Sequence, residues 1–165
     1  MARVYVLQQP TPLLAQLYVV DRGVGDGLPN QRDDVLLVQF FLRALMPPKG
    51  SYADQEVHQP AGQTPLAIDG VWGPQTRAYV KAFQTQFNEA LGSEIQPQFR
   101  LRQDGAVNAL EGSSVFGKRF HQVMTIVRLN TEYSHFFSLE RHKQLHRDPL
   151  FPRELFGAFY LPPSG

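Results

Sequence analysis

Apolar residues recur at helical spacing in three stretches of this chain. Between Asp33 and Met46, Val35, Val38, Phe41, Leu42 and Leu45 fall three and four residues apart. That spacing gathers them on one face and predicts an amphipathic helix. Asn30 or Asp33 is placed to cap its start. Pro47-Pro48 ends it, because proline has no N–H to donate and its ring crowds the preceding turn. Between Pro74 and Ala90, Tyr79, Val80, Phe83 and Phe87 make a second stripe. Pro74 suits a first helical turn, where a missing N–H costs nothing, and Gly92 suits the stop. A third helix is predicted from Ser113 or Ser114 to Arg128 or beyond, with Phe116, Phe120, Val123, Met124 and Val127 on its face. Residues 131–147 mix Phe136, Phe137 and Leu139 with many polar groups, and a fourth helix fits there.

The rest of the pattern is not helical. Residues 3–7 and 16–20 are short runs of Val, Tyr and Leu, which predict two small strands or extended arms joined by a Pro-rich turn. Most of the 13 prolines gather near the start, in the long loop 47–66 and in the tail, and so mark loops and extended arms. The tail 148–165 carries Phe151, Leu155, Phe156, Phe159 and Tyr160 among four prolines. Left in water these groups would form an interaction surface, so the tail either folds back on the bundle or docks on another protein.

Composition narrows the function more by exclusion. A chain of 165 residues fits one domain with a core of its own. With 16 Lys and Arg against 15 Asp and Glu, the net charge of +1 gives no strong electrostatic case for nucleic acid or an anionic membrane. Absence of cysteine excludes disulfides and thiolate zinc sites. No apolar run approaches the roughly 18 residues of a membrane span, and the start, MARVYVLQQP, is too short in apolar residues for a signal peptide.

Candidate chemistry is sparse. His135, His142 and His146 fall seven and four apart, which would align them on one long helix beside Glu132 or Glu140. No His-Glu-x-x-His accompanies them, and Arg141, Lys143 and Arg147 would repel a cation, so a solvated polar face is expected and no metal site. Glu94, Glu111 and Glu132 stand in no recognisable context for paired-carboxylate hydrolysis. Ser113 and Ser114 read as a helix start, and no Gly-x-Ser-x-Gly occurs. We therefore expect no catalysis and no cofactor.

The most informative stretch is Ile68-Asp69-Gly70-Val71-Trp72-Gly73-Pro74-Gln75-Thr76-Arg77-Ala78, followed by Val80, Phe83 and Gln84. Gly70 and Gly73 permit tight turns. Asp69 can accept hydrogen bonds from turn N–H groups, and Thr76 can satisfy free N–H groups in a first helical turn. Trp72 needs a pocket. By mechanism alone this is a helix-initiating loop.

The pattern resembles the peptidoglycan-binding domain found beside many cell-wall hydrolases. The lead-in Gly23-Val-Gly-Asp-Gly-Leu-Pro-Asn-Gln-Arg resembles that family's approach to its first helix, and Asp104-Gly-Ala-Val with Leu129-Asn130 resembles a version familiar in phage-like and secretion-associated proteins. The second block departs from the pattern at Asn108 and Ala109-Leu110-Glu111. The resemblance covers about residues 23–130 and implies a mainly α fold, a small helical bundle with extended or strand-like N- and C-terminal arms. It divides the chain into an N-terminal arm 1–22, a peptidoglycan-binding-like domain 23–130, and a C-terminal helix and extended tail 131–165. It implies a non-catalytic module that binds peptidoglycan through Asp69, Gly70, Trp72, Gly73 and Thr76, with Arg77 at the rim. The competing reading gives Asp69, Gly70, Gly73 and Thr76 to the turn and Trp72 to the core. The alternative function is a structural or adaptor subunit of a phage-tail, contractile-injection or secretion-related assembly, its partner docking on the arms 1–22 and 148–165. Without an export signal, a wall-binding chain would reach the wall by lysis, in a particle or by a non-standard route.

Overall fold

A computed structural model describes residues 3–11, 14–52, 54–109 and 124–158, with side chains from Gln16 onward except that of Gln98. The chain is mainly helical, a small bundle with strand-like segments at its N-terminal end. Strands β1 (Arg3–Thr11) and β2 (Leu14–Val19) pair antiparallel, with Arg3 opposite Val19 and Tyr5 opposite Leu17. Helices follow at α1 (Arg32–Leu45), α2 (Pro74–Ala90), α3 (Thr125–Phe136) and the short α4 (Leu139–Lys143).

Helix α1 is the axis of the molecule. Its sequence spacing predicts one apolar face, but Leu36, Leu37 and Phe40 are buried along with Val35, Val38, Phe41 and Leu42. A helix apolar all round must be covered all round. The covering comes from α2, from α3 and from a 3-10 turn at Arg153–Gly157. Phe40 packs edge-on against Phe151 at 5.0 Å between ring centres, and Phe41 meets Tyr133 edge-on at 5.8 Å. Helix α2 keeps the predicted bounds and buries the predicted Tyr79, Val80, Phe83 and Phe87. Gly92 follows it with φ of +81°, which a glycine adopts without cost.

Several expectations are corrected. Neither Asn30 nor Asp33 caps α1; Gln31 stands at the cap position with no side-chain bond. Asn30 instead lies at φ +49° and ties its own turn, accepting from the Gly25 N–H and donating to the Gly25 and Leu28 carbonyls. Helix α3 runs beyond Arg128, as allowed, to Phe136, but it buries Ile126, Leu129 and Tyr133 and leaves the expected Met124 and Val127 only partly covered. Its predicted start at Ser113 or Ser114, with Phe116, Phe120 and Val123, falls outside the described residues, as do Glu111, Phe159 and Tyr160. Ser138 starts α4 afresh by accepting from the Arg141 N–H, so residues 131–147 are not one helix.

The arms are not separate from the bundle. Leu17, Tyr18, Val19 and Val20 share one core cluster with α1 and α3, and so do Phe151, Leu155 and Ala158. Among the described residues the tail includes the 3-10 turn Arg153–Gly157. The boundaries expected at 22/23 and 130/131 therefore cut through a continuous core, because α1 needs both ends of the chain to cover it.

Candidate functional site

Gln39 organises the loop that the sequence singles out. It lies in mid-α1, 1% exposed, and its carboxamide faces the loop before α2. Its Oε1 accepts from the N–H groups of Asp69 (3.0 Å) and Gly70 (2.8 Å). Its Nε2 donates to Asp69 Oδ1 (2.9 Å), to the Val71 carbonyl (3.1 Å) and to Thr76 Oγ1 (3.0 Å). Asp69 Oδ1 also accepts from the Val71 N–H at 2.9 Å. These bonds favour the ionised form, so the Asp69 carboxyl sits below its usual value, chiefly through the Val71 N–H and then Gln39. Gly70 has φ of +74°, and a Cβ there would meet Arg32 Cγ at 2.8 Å. Arg32 in turn donates to the Asp69 carbonyl at 2.6 Å and forks onto both carboxylate oxygens of Glu154, each at 2.8 Å.

The six expected site residues thus divide. Gly70 and Thr76 are buried and serve the loop. Asp69 is exposed, with Oδ1 engaged by Gln39 and Val71. Gly73 forms the start of α2, which no side chain caps, and a Cβ on it would meet nothing within 4 Å. Trp72 is half-buried against the core and aims its indole Nε1–H at Asp26 Oδ1, 3.1 Å away. Arg77 is exposed and places Nη2 2.8 Å from Asp26 Oδ2. Val71, 58% exposed, stands beside them. The outward surface is therefore Val71, Trp72, Gly73 and Arg77, with Asp26 bridging the two donors.

The same lock occurs a second time, at the Asp104-Gly-Ala-Val block that the sequence also offers. Gln84 of α2, fully buried, accepts from the Gly105 N–H at 2.9 Å. It donates to Asp104 Oδ1 (3.4 Å), the Ala106 carbonyl (3.0 Å) and Thr125 Oγ1 (3.1 Å). Asp104 Oδ1 accepts from the Ala106 N–H, as Asp69 does from Val71. Helix, Asp-Gly turn and helix-starting Thr are thus repeated, α1 to α2 and α2 to α3. The second loop is also bridged to the first turn by paired bonds between Val24 and Val107, at 2.9 and 2.7 Å. Asn88 holds the Leu101 backbone and Asn130 holds that of Tyr18 in the same two-bond manner. The signal in the sequence was a carboxamide standing among apolar residues of a predicted helix, Gln39 between Val38 and Phe40 and Gln84 next to Phe83.

Two grooves lie elsewhere. One, about 330 Å³, is lined by Arg43, Tyr52, Phe137, Arg141 and Leu150 with several prolines. The other, about 320 Å³, adjoins it along Arg141, Asp148 and Pro149. Tyr52 and Phe136 meet edge-on at 5.4 Å on this side, both exposed. Arg141 lies over the Phe137 ring and reaches the buried Asp148, which also accepts from the Tyr133 hydroxyl. The histidines do not align: α3 ends before His142, which turns into the core beside Tyr18, while His135 and His146 are exposed. Burial, with the charge of Glu56, raises the Glu132 carboxyl, but Glu132 lines neither groove.

No protein-family description, no curated protein and no solved structure matches this chain.

Proposed function

We propose that this chain is a non-catalytic peptidoglycan-binding module, and that its contact surface is the rim of Val71, Trp72, Gly73 and Arg77. One observation carries the reading. Gln39 satisfies the interior of the Asp69–Thr76 loop, so that the segment is held rigid and turns an apolar side chain, an indole N–H and a guanidinium outward together. A preorganised patch of that mixture suits a glycan–peptide mesh, with apolar contact to sugar faces and donors to peptide groups. Sedimentation with purified insoluble peptidoglycan tests it. Wild type should pellet, and Trp72→Ala with Arg77→Ala should leave most of the protein in the supernatant. A wild type that stays in solution like an unrelated protein of similar charge ends the proposal.

A second reading, an adaptor subunit that reuses the fold, has its own support. Tyr52 and Leu150 are exposed and line the larger groove, Phe136 stands beside Tyr52, and Phe156 is exposed on the C-terminal turn. The partner would meet this side, since most apolar residues of the described arms are already in the core. Co-elution with the products of neighbouring genes, lost in Tyr52→Ser with Leu150→Ser, would favour it over wall binding.

A further inference from the structure

We propose that Trp72 and Arg77 form a carboxylate-recognition site, and that Asp26 of the same chain holds it until a ligand carboxylate displaces it. The identity of the ligand rests on the wall-binding reading; the site itself rests on geometry. Two donors from different parts of the loop meet the two oxygens of one carboxylate: the indole N–H on Oδ1 at 3.1 Å and the Arg77 guanidinium on Oδ2 at 2.8 Å. Neither donor can accept, so only an acceptor-rich group satisfies both, and a carboxylate fits with one oxygen each. Arg77 stands in the first turn of α2, whose amino end favours negative charge and has no side-chain cap. Gly73 leaves the space beside it open.

Asp26 is suited to give way. It comes from a turn 46 residues from Trp72, and its side chain remains 57% exposed, with Arg77 at 49%. An ion pair so open to water is weak, and exchanging one carboxylate for another conserves its bonds. The turn is anchored through Asn30 to Gly25 and Leu28, leaving Asp26 at the tip beside Gly27. Its side chain can swing out without disturbing that anchor. Peptidoglycan stem peptides present free carboxylates, which some walls convert to amides. An amide cannot offer two anionic oxygens, so the site would distinguish the two.

Trp72 is the sole tryptophan, so its fluorescence reports on the site directly. The probes are a soluble disaccharide-tetrapeptide with free carboxylates and its fully amidated counterpart, titrated into the whole chain. The acid form should saturate a fluorescence change that the amide does not produce. Asp26→Asn should bind the acid form about tenfold tighter than wild type, and adding Arg77→Gln should remove that gain. Equal responses to acid and amide, no gain in Asp26→Asn, or a gain that survives Arg77→Gln would each overturn the site. Circular dichroism checks that the variants fold. If wild type pellets with peptidoglycan but does not distinguish acid from amide, wall binding stands and the carboxylate site falls. If Asp26→Asn takes the acid form while neither protein pellets, the carboxylate site stands and wall binding falls.

Discussion

The two Asp-Gly loops share one lock and differ in what surrounds it. In each, a buried glutamine from the preceding helix closes on the aspartate, the glycine and a helix-starting threonine. The first loop passes straight into α2 and leaves Val71, Trp72 and Arg77 facing out. The second has its outer edge taken up by the Val24–Val107 bridge, and α3 begins only at Thr125. The lock is thus a device of the fold, and what the first copy adds is the outward Val71, Trp72 and Arg77, the surface proposed to bind. An aspartate-glycine match alone says nothing of ligand; the neighbours of the match do.

Breaking each lock should show which copy holds more of the fold. Gln39→Leu removes five contacts of hydrogen-bond length and Gln84→Leu removes four, each set around one buried amide, while Asp69 and Asp104 keep their bonds to the Val71 and Ala106 N–H groups. Unsatisfied buried groups cost about 1–3 kcal/mol each, with relaxation and water recovering part. We expect losses of about 4 kcal/mol for Gln39→Leu and about 3 kcal/mol for Gln84→Leu, read from urea unfolding midpoints. Equal losses, or the reverse order, would mean that the longer Gln84–Asp104 contact is no weaker a lock than the first.

This lock also explains what was legible. The bounds of α2 and its stripe followed from periodicity, because propensity, proline placement and packing agree there. The central position of α1 was not legible, since Leu36, Leu37 and Phe40 read as off-face residues until α2, α3 and the tail's 3-10 turn are known to cover the helix. Of the candidate site, the sequence points to the loop and not to its supports. Gln39 lies 30 residues before Asp69, and Asp26 lies 46 before Trp72, so neither contact follows from local spacing. The histidine series failed for the opposite reason: a helix break after α3 removed the register that would have aligned it.

Acid should separate the loops from the rest of the core. Asn130 donates to the Tyr18 and Ile126 carbonyls, so its Oδ1 faces His142 Nε2 at 2.9 Å, and that nitrogen must carry the proton. His142 Nδ1 is then a buried acceptor with no hydrogen-bond partner among the described residues, in a ring packed between those of Tyr18 and Tyr133. Burial lowers the imidazole from 6.5 to about 4. The unfolded chain takes up this proton first as pH falls. The stability given by neutral His142 is therefore complete above about pH 6.5 and lost as pH falls through 4, about 3 kcal/mol in all. Asp69 adds a smaller loss at lower pH, since its depressed carboxyl stabilises the fold only while ionised. His142→Leu should flatten the curve of unfolding midpoint against pH between 7 and 4.5. Asp69→Asn should leave that range unchanged and act only on the more acidic limb, and a flattening by Asp69→Asn alone would reassign the effect to the first loop.

The glycines give the finest comparison. Gly70 and Gly105 have φ of +74° and +71°, so alanine at either takes on the left-handed cost of roughly 1–2 kcal/mol. Beyond that shared strain, the neighbour decides the cost. A Cβ on Gly70 would meet Arg32 at Cγ, near the root of a side chain tethered at its far end to Glu154 and the Asp69 carbonyl. A Cβ on Gly105 would meet Lys81 at Cε (2.9 Å) and Cγ (3.1 Å), along an exposed chain that can swing into water. Gly70→Ala should therefore cost about 2 kcal/mol and Gly105→Ala about 1 kcal/mol, at the low end because only strain remains. Arg32→Ala in the Gly70→Ala background should bring the two costs together, because it removes the one neighbour that cannot move. If the gap persists without Arg32, the first loop is strained by its own backbone, and its lock on Gln39 is tighter than contact with Arg32 accounts for.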